Sequence, residues 1–243
     1  MLPESSKPAP LDSNAPSDQR LAPLWHTAVV LFILLGASLA GSRGVHPAAE
    51  HSKVLQYLWT MLWEWLLTGF VYFGARKRVS LRNLVGGRWS RLGDFVSDVG
   101  VAMVFWFVAA FVLAFGGHLL HLDQGGIAET RKQLGFLVPN TALEMVVWCL
   151  LSTTAGICEE IIFRGYLQRQ LGAITGSILA GAVLSAVVFG AAHGYEGRSR
   201  MVLLGIYGLM FGLLAMWRRS LRPGMIAHAW HDAFSGVMLR LLN

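Results

Sequence analysis

The stretch Cys158-Glu159-Glu160-Ile161-Ile162-Phe163-Arg164 closes an apolar run that begins near Thr141, TALEMVVWCLLSTTAGICEEIIFR over residues 141–164. As a helix, that run is about 36 Å long at 1.5 Å per residue. This is enough to cross a hydrocarbon core of roughly 30 Å. Two adjacent carboxylates and an arginine are costly inside such a segment, and ionisable groups within a membrane mark function by default.

The rest of the chain follows the same pattern. Of its 243 residues, 54% are hydrophobic and only 14% charged, against roughly a quarter charged in soluble domains. Mean hydropathy is +0.51. The fold class this implies is all-α, a polytopic transmembrane helix bundle. A net charge of +6 would suit nucleic acid, but the basic residues gather in short links between apolar segments, as membrane topology demands. No nucleic-acid partner is expected. Cys149 and Cys158 share one apolar segment and read as packing residues, not a disulfide framework.

Seven apolar segments can be marked. Residues 1–22 are rich in Pro, Ser and Ala, lack periodicity and read as a disordered tail. Segments follow at 23–41, at 54–74 with Glu64 between Trp63 and Trp65, and at 95–115. Glu64 is expected to pair within the bundle or sit near an interface, with a distant contribution to a polar site as the lesser alternative. The fourth segment starts at Thr141, a plausible cap, and runs through the opening motif to Gln168 and Arg169. The last three lie at 177–193, 201–217 and 223–242. Gly181, Ala182, Ser185, Gly190 and Ala191 would let neighbouring helices approach closely.

Between the segments, the link His46–Lys53 contains Pro47 and is polar. The link with Arg76, Lys77, Arg78, Arg82, Arg88 and Arg91 reads as a cytoplasmic loop. Its alternative is an amphipathic surface helix, an eighth, interrupted by Gly86-Gly87. His118 and His121 have metal-like i,i+3 spacing without acidic partners, so a loop role is expected. Placing the basic link and Arg218, Arg219 and Arg222 inside puts the N-terminus in the cytoplasm and the C-terminus outside. The chain then divides into the tail, N-terminal membrane helices over 23–140, and a core of four membrane helices over 141–243.

Within that core, Glu160 and Arg164 are four residues apart and neighbours on one helix face. The arginine would hold one carboxylate ionised and fixed. Glu159, about 100° around the helix, is left to face a cavity as a general base. His193 closes the fifth segment, four residues after Phe189, and His228 and Asp232 are again i,i+4 on the seventh. Charged groups in a bilayer must face one another or a water-filled cavity, so the three places are expected to converge. His231 faces differently and is left out. Such a pocket has two ways to activate water. Glu159 can deprotonate a water bound to His193 while His228 and Asp232 stabilise an oxyanion. Alternatively Glu159, His193 and His228 can hold Zn²⁺. The sequence leaves both open, and it also leaves a difficulty of depth. His193 ends its segment near the outer side in a simple topology, whereas Glu159 and His228 lie nearer the inner side.

Glu159-Glu160-x-x-x-Arg164, Phe189-x-x-x-His193 and His228-x-x-x-Asp232, in that order, resemble the type II CAAX prenyl protease family, also called CPBP. The likeness covers about Leu143 to Asn243; Asp at the last motif position is a variant the family pattern admits. It implies an integral membrane endopeptidase, glutamate-type or metal-dependent. Glu159 would be its water-activating base, His193 its partner, and His228 and Asp232 its oxyanion or substrate contacts. Glu160, Arg164 and Phe189 would be supports. The implied substrate is a membrane-associated or lipidated peptide or protein in the bilayer, and the implied location a bacterial plasma membrane. A non-catalytic scaffold or bacteriocin-immunity protein with the same fold is the alternative. A proton-relay transporter ranks last, because no internal repeat is visible.

Overall fold

A computed structural model describes residues 20–43, 52–120, 135 and 138–241. Most of the tail, most of the link with Pro47, and His121, Gly125, Gly126 and Asn243 lie outside the described residues. Among the described residues there are eight helices, besides a short 3-10 turn at Gly194–Glu196, and no strand. They are α1 (Leu24–Ser42), α2 (Lys53–Ala75), α3 (Leu81–Val85), α4 (Leu92–Leu119), α5 (Ala142–Thr175), α6 (Ile178–Ala192), α7 (Arg198–Arg218) and α8 (Arg222–Leu241). Four of these, α1, α4, α5 and α7, are long and apolar enough to cross a membrane. This is an all-α helical membrane bundle. The basic link is neither pure loop nor long amphipathic helix: α3 is a single turn stopped at Gly86, whose φ is +98°.

The organising element is α5. Thr141 caps it, its Oγ1 accepting from Glu144 N at 3.1 Å while Glu144 Oε2 accepts from Thr141 N at 3.3 Å. This reciprocal cap satisfies two orphan donors. The helix then runs for 34 residues, about 51 Å at 1.5 Å per residue. Over Glu160–Leu167 it widens into a π-helix whose eight residues are all buried, a distortion that recurs at functional sites.

This length resolves the difficulty of depth. Gly176, at φ +72°, ends α5 and α6 turns back along its second half. With 15 residues α6 spans only about 22 Å, short of the roughly 30 Å hydrocarbon core, so it does not make the full crossing the sequence suggested. It climbs from the end of α5 to the level of Glu159. The two helices touch closely: Ser185 Oγ donates to Phe163 O at 2.8 Å, and a Cβ on Gly181 would lie 2.2 Å from Gln168 O. Gly181→Val is therefore expected to force α6 off α5 at a cost of about 1–3 kcal/mol, the range for overpacking. The check is a lowered melting temperature in detergent, with Ala180→Val as control.

Buried polar residues tie the remaining helices to this frame. Gln170 of α5 accepts from Leu21 N at 2.7 Å and donates to Ala22 O at 2.8 Å, anchoring the start of α1. His26 bonds Tyr166 Oη at 2.8 Å. Asp98 of α4 is 1% exposed and takes Trp89 Nε1 at 2.8 Å, Arg218 Nη2 at 3.0 Å and Arg222 Nε at 3.1 Å. Those four groups clasp one end of the bundle. Large apolar side chains such as Phe32, Trp59, Phe111, Val146 and Val187 stay exposed, a surface suited to lipid.

Candidate active site

The site grows from the floor formed by the start of the π-helical turn. Arg164 Nη1 donates to Glu160 Oε1 at 2.9 Å and Nη2 to Gly208 O at 2.9 Å. Glu160 is 0% exposed. The guanidinium lies 4.5 Å from the Phe189 ring centre and 5.0 Å from that of Phe211, a cation–π enclosure. The same Glu160 oxygen is 3.2 Å from His228 Nδ1. A carboxylate held ionised by arginine only accepts, so the His228 proton on this side sits on Nδ1. Glu160 thus supports both the arginine and the histidine. The sequence reading gave it only the arginine.

His228 Nε2 points the other way, 3.6 Å from Glu159 Oε2 and 3.7 Å from Asp232 Oδ2. Glu159 Oε2 makes no hydrogen bond to the protein. One carboxylate of the adjacent pair is locked and its neighbour is unengaged.

His193 follows the last turn of α6. Its Nδ1 is 2.8 Å from Phe189 O; a carbonyl only accepts, so Nδ1 carries the proton and Nε2 keeps its lone pair. Phe189 therefore supports twice, with its carbonyl on His193 and its ring on Arg164. Ser38 of α1 steadies the turn, donating to Ala191 O at 2.7 Å and accepting from Gly194 N at 3.0 Å. Nothing in the sequence marked Ser38, because its role depends on a helix 150 residues away.

Glu159, His193, His228 and Asp232 all line one cavity of about 370 Å³. So do two residues that sequence reasoning placed elsewhere. Glu64, from the middle of α2, faces the cavity with its Oε2 unpaired. His231 lines it too, its ring 4.9 Å from that of Tyr207. At the rim, burial raises the Glu196 carboxyl above its usual range, partly offset by His193 and Arg200. Glu64→Gln removes a titratable carboxyl that lines the same cavity as Glu159. It is expected to lower turnover on the order of tenfold, the effect of one unit of coupling between ionisable groups, with an unchanged melting temperature.

For zinc, the donor types Glu159, His193 and His228 suit the metal, but no three His, Cys, Asp or Glu side chains among the described residues gather as a chelating set. His228 has its ring nitrogens turned to carboxylates on both sides. No step below passes through a metal. His118 lies in the last turn of α4 and is not among the residues lining this cavity.

A family model described as type II CAAX prenyl endopeptidase Rce1-like matches residues 140–234. This segment of the chain is similar to that family. The match starts one residue before the Thr141 cap and ends two residues after Asp232, so the matched segment holds Glu159, Glu160, Arg164, Phe189, His193, His228 and Asp232. Glu64 and Ser38 stand outside it. No curated protein and no solved structure matches the chain.

Proposed function

We propose that the chain is an intramembrane endopeptidase, hydrolysing a peptide bond of a membrane-associated or lipidated peptide with water activated by Glu159. One observation carries this reading: an unengaged carboxylate oxygen on Glu159 and an acceptor nitrogen on His193 face the same buried cavity from different helices. A water between them donates one hydrogen bond to each. Glu159 takes the proton as the water oxygen attacks the carbonyl carbon, and returns it to the amide nitrogen as the C–N bond breaks. The products are a carboxylic acid and an amine. His228 acts in this scheme as an imidazolium, its Nδ1–H held by Glu160 and its Nε2–H beside Glu159 and Asp232, and donates from Nε2 to the oxyanion. A general base of this kind is worth about 10²–10⁴-fold, and one oxyanion donor about 10²–10³-fold.

Comparative proteomics tests the activity. Membranes carrying the wild-type chain should contain truncated peptides that are absent with the His228→Ala variant; identical peptide sets would overturn the reading. The cofactor question has its own check. Cleavage of a tethered reporter is expected to survive dialysis against a chelator. Loss of activity restored by added zinc would reassign Glu159 and the histidines as ligands.

A further inference from the structure

An apolar groove of about 700 Å³ runs between α4 and α7 and shares no lining residue with the cavity that holds Glu159. Ser97, Gly100, Val104 and Val108 line it from one face of α4, and Leu213 and Trp217 from α7. Gly100 opens it: a Cβ built there would meet no atom within 4 Å. Val104, Val108 and Trp217 stay exposed along it, so the groove is accessible from the lipid side. Its α4 wall, Ser97 to Val108, is about 16 Å long at 1.5 Å per residue. That is close to half of the roughly 30 Å hydrocarbon core, so the groove is as long as one leaflet is deep.

One end of the groove is polar and positively charged. Arg218 Nη2 donates to Ser97 Oγ at 3.3 Å, and the same guanidinium lies 5.6 Å from the Trp217 ring centre. Arg218 shares Asp98 with Arg222, at 3.0 Å and 3.1 Å. Two guanidinium groups therefore meet one carboxylate, and the clasp keeps a net positive charge. Arg218 Nε and Arg222 Nη1 have no hydrogen-bond partner among the described residues, and the Arg218 side chain is 28% exposed. Trp89, its ring centre 5.3 Å from the Arg222 guanidinium, and Trp217 bring two indoles to this end, as the membrane–water interface favours.

We infer that this groove holds a phospholipid with an anionic headgroup, one acyl chain lying against Gly100 and the phosphate at Arg218. The chain matches an apolar channel of one leaflet's depth. The phosphate brings negative charge and acceptor oxygens to the place where the clasp has positive charge and donors to spare. A neutral apolar molecule would fill the groove and leave Arg218 unanswered. The bound lipid bridges α4 and α7 beside the clasp, and through Arg222 it steadies the start of α8, the helix that carries His228 and Asp232. The site is independent of whether the chain cleaves peptides.

Thermal melts of the full chain in detergent test the site, with dioleoyl phosphatidylglycerol, dioleoyl phosphatidylcholine or glycerol 3-phosphate titrated in. A ligand that binds only the folded state raises the melting temperature. Phosphatidylglycerol should raise it with about fivefold higher affinity than phosphatidylcholine, the effect of one arginine beside an anionic headgroup. Glycerol 3-phosphate should give no shift at the same concentrations. Gly100→Phe puts a ring into the groove from a Cβ that meets nothing. Without lipid it should melt no lower than the wild type, since glycine is a poor helix former, and it should lose the lipid shift. Arg218→Gln should make the two lipids equal, whereas Arg219→Gln, exposed and outside the groove, should leave the preference intact. Gly100→Phe touches no charge, so the test stands even if Arg218→Gln folds poorly. Equal affinities for the two lipids in the wild type, or an unchanged shift in Gly100→Phe, overturn the site. If that variant also alters the mass of the solubilised particle, the groove's occupant is a second copy of the chain instead. A shift of the same size with glycerol 3-phosphate would assign the charge to a free anion and overturn the lipid.

Discussion

Glu159→Gln is expected to reduce cleavage by about 10³-fold, within the range for a lost general base, while the protein inserts and melts as the wild type does. Both halves of that expectation come from the same geometry. The carboxylate is the group placed to take a proton, so its amide isostere leaves the cavity shape and removes the base. Its Oε2 makes no hydrogen bond within the protein, so the fold loses little when the charge goes. Cleavage rate and melting temperature measured on one preparation check it; a full rate would remove Glu159 from the base role.

Arg164→Ala should behave in the opposite way, failing in the fold before it fails in chemistry. Arg164 is 3% exposed and Glu160 0%, and removing one partner of a buried ion pair costs about 3–5 kcal/mol, because the other charge is left uncompensated. Gly208 O and the faces of Phe189 and Phe211 lose their partner as well. The expected result is a large fall in melting temperature and in the yield of inserted protein. Arg164→Leu combined with Glu160→Leu should be less destabilised than Arg164→Ala, since apolar replacement of both partners is often tolerated. A double variant as unstable as the single one would mean that the His228 contact of Glu160 dominates.

Much of this was legible in the sequence. Glu160 and Arg164 at i,i+4, and His228 and Asp232 at the same spacing, are local relations that any regular helix imposes. Thr141, read as a cap, marks where α5 starts, and its partner Glu144 came into view only with the structure. What escaped reading is tertiary. The π-helical turn over Glu160–Leu167 has no marker in a run of apolar residues. The shortness of α6 mattered only once α5 was seen to extend 16 residues past Glu159, and that is what lets His193 reach the site. Glu64 looked like an interfacial charge between two tryptophans because no spacing ties α2 to α5. His231 was set aside on helix geometry, yet the cavity is wide enough to include both it and Asp232.

Glu159 and His193 hold one water between them if the account is right, and a paired kinetic measurement asks that directly. Cleavage of one tethered reporter by the wild type, Glu159→Gln, His193→Gln and the double variant forms a complete cycle. Residues that act as a unit show strongly non-additive losses. The account predicts a double variant no slower than the slower single variant; losses that multiply would mean the two residues act independently and would contradict a shared water.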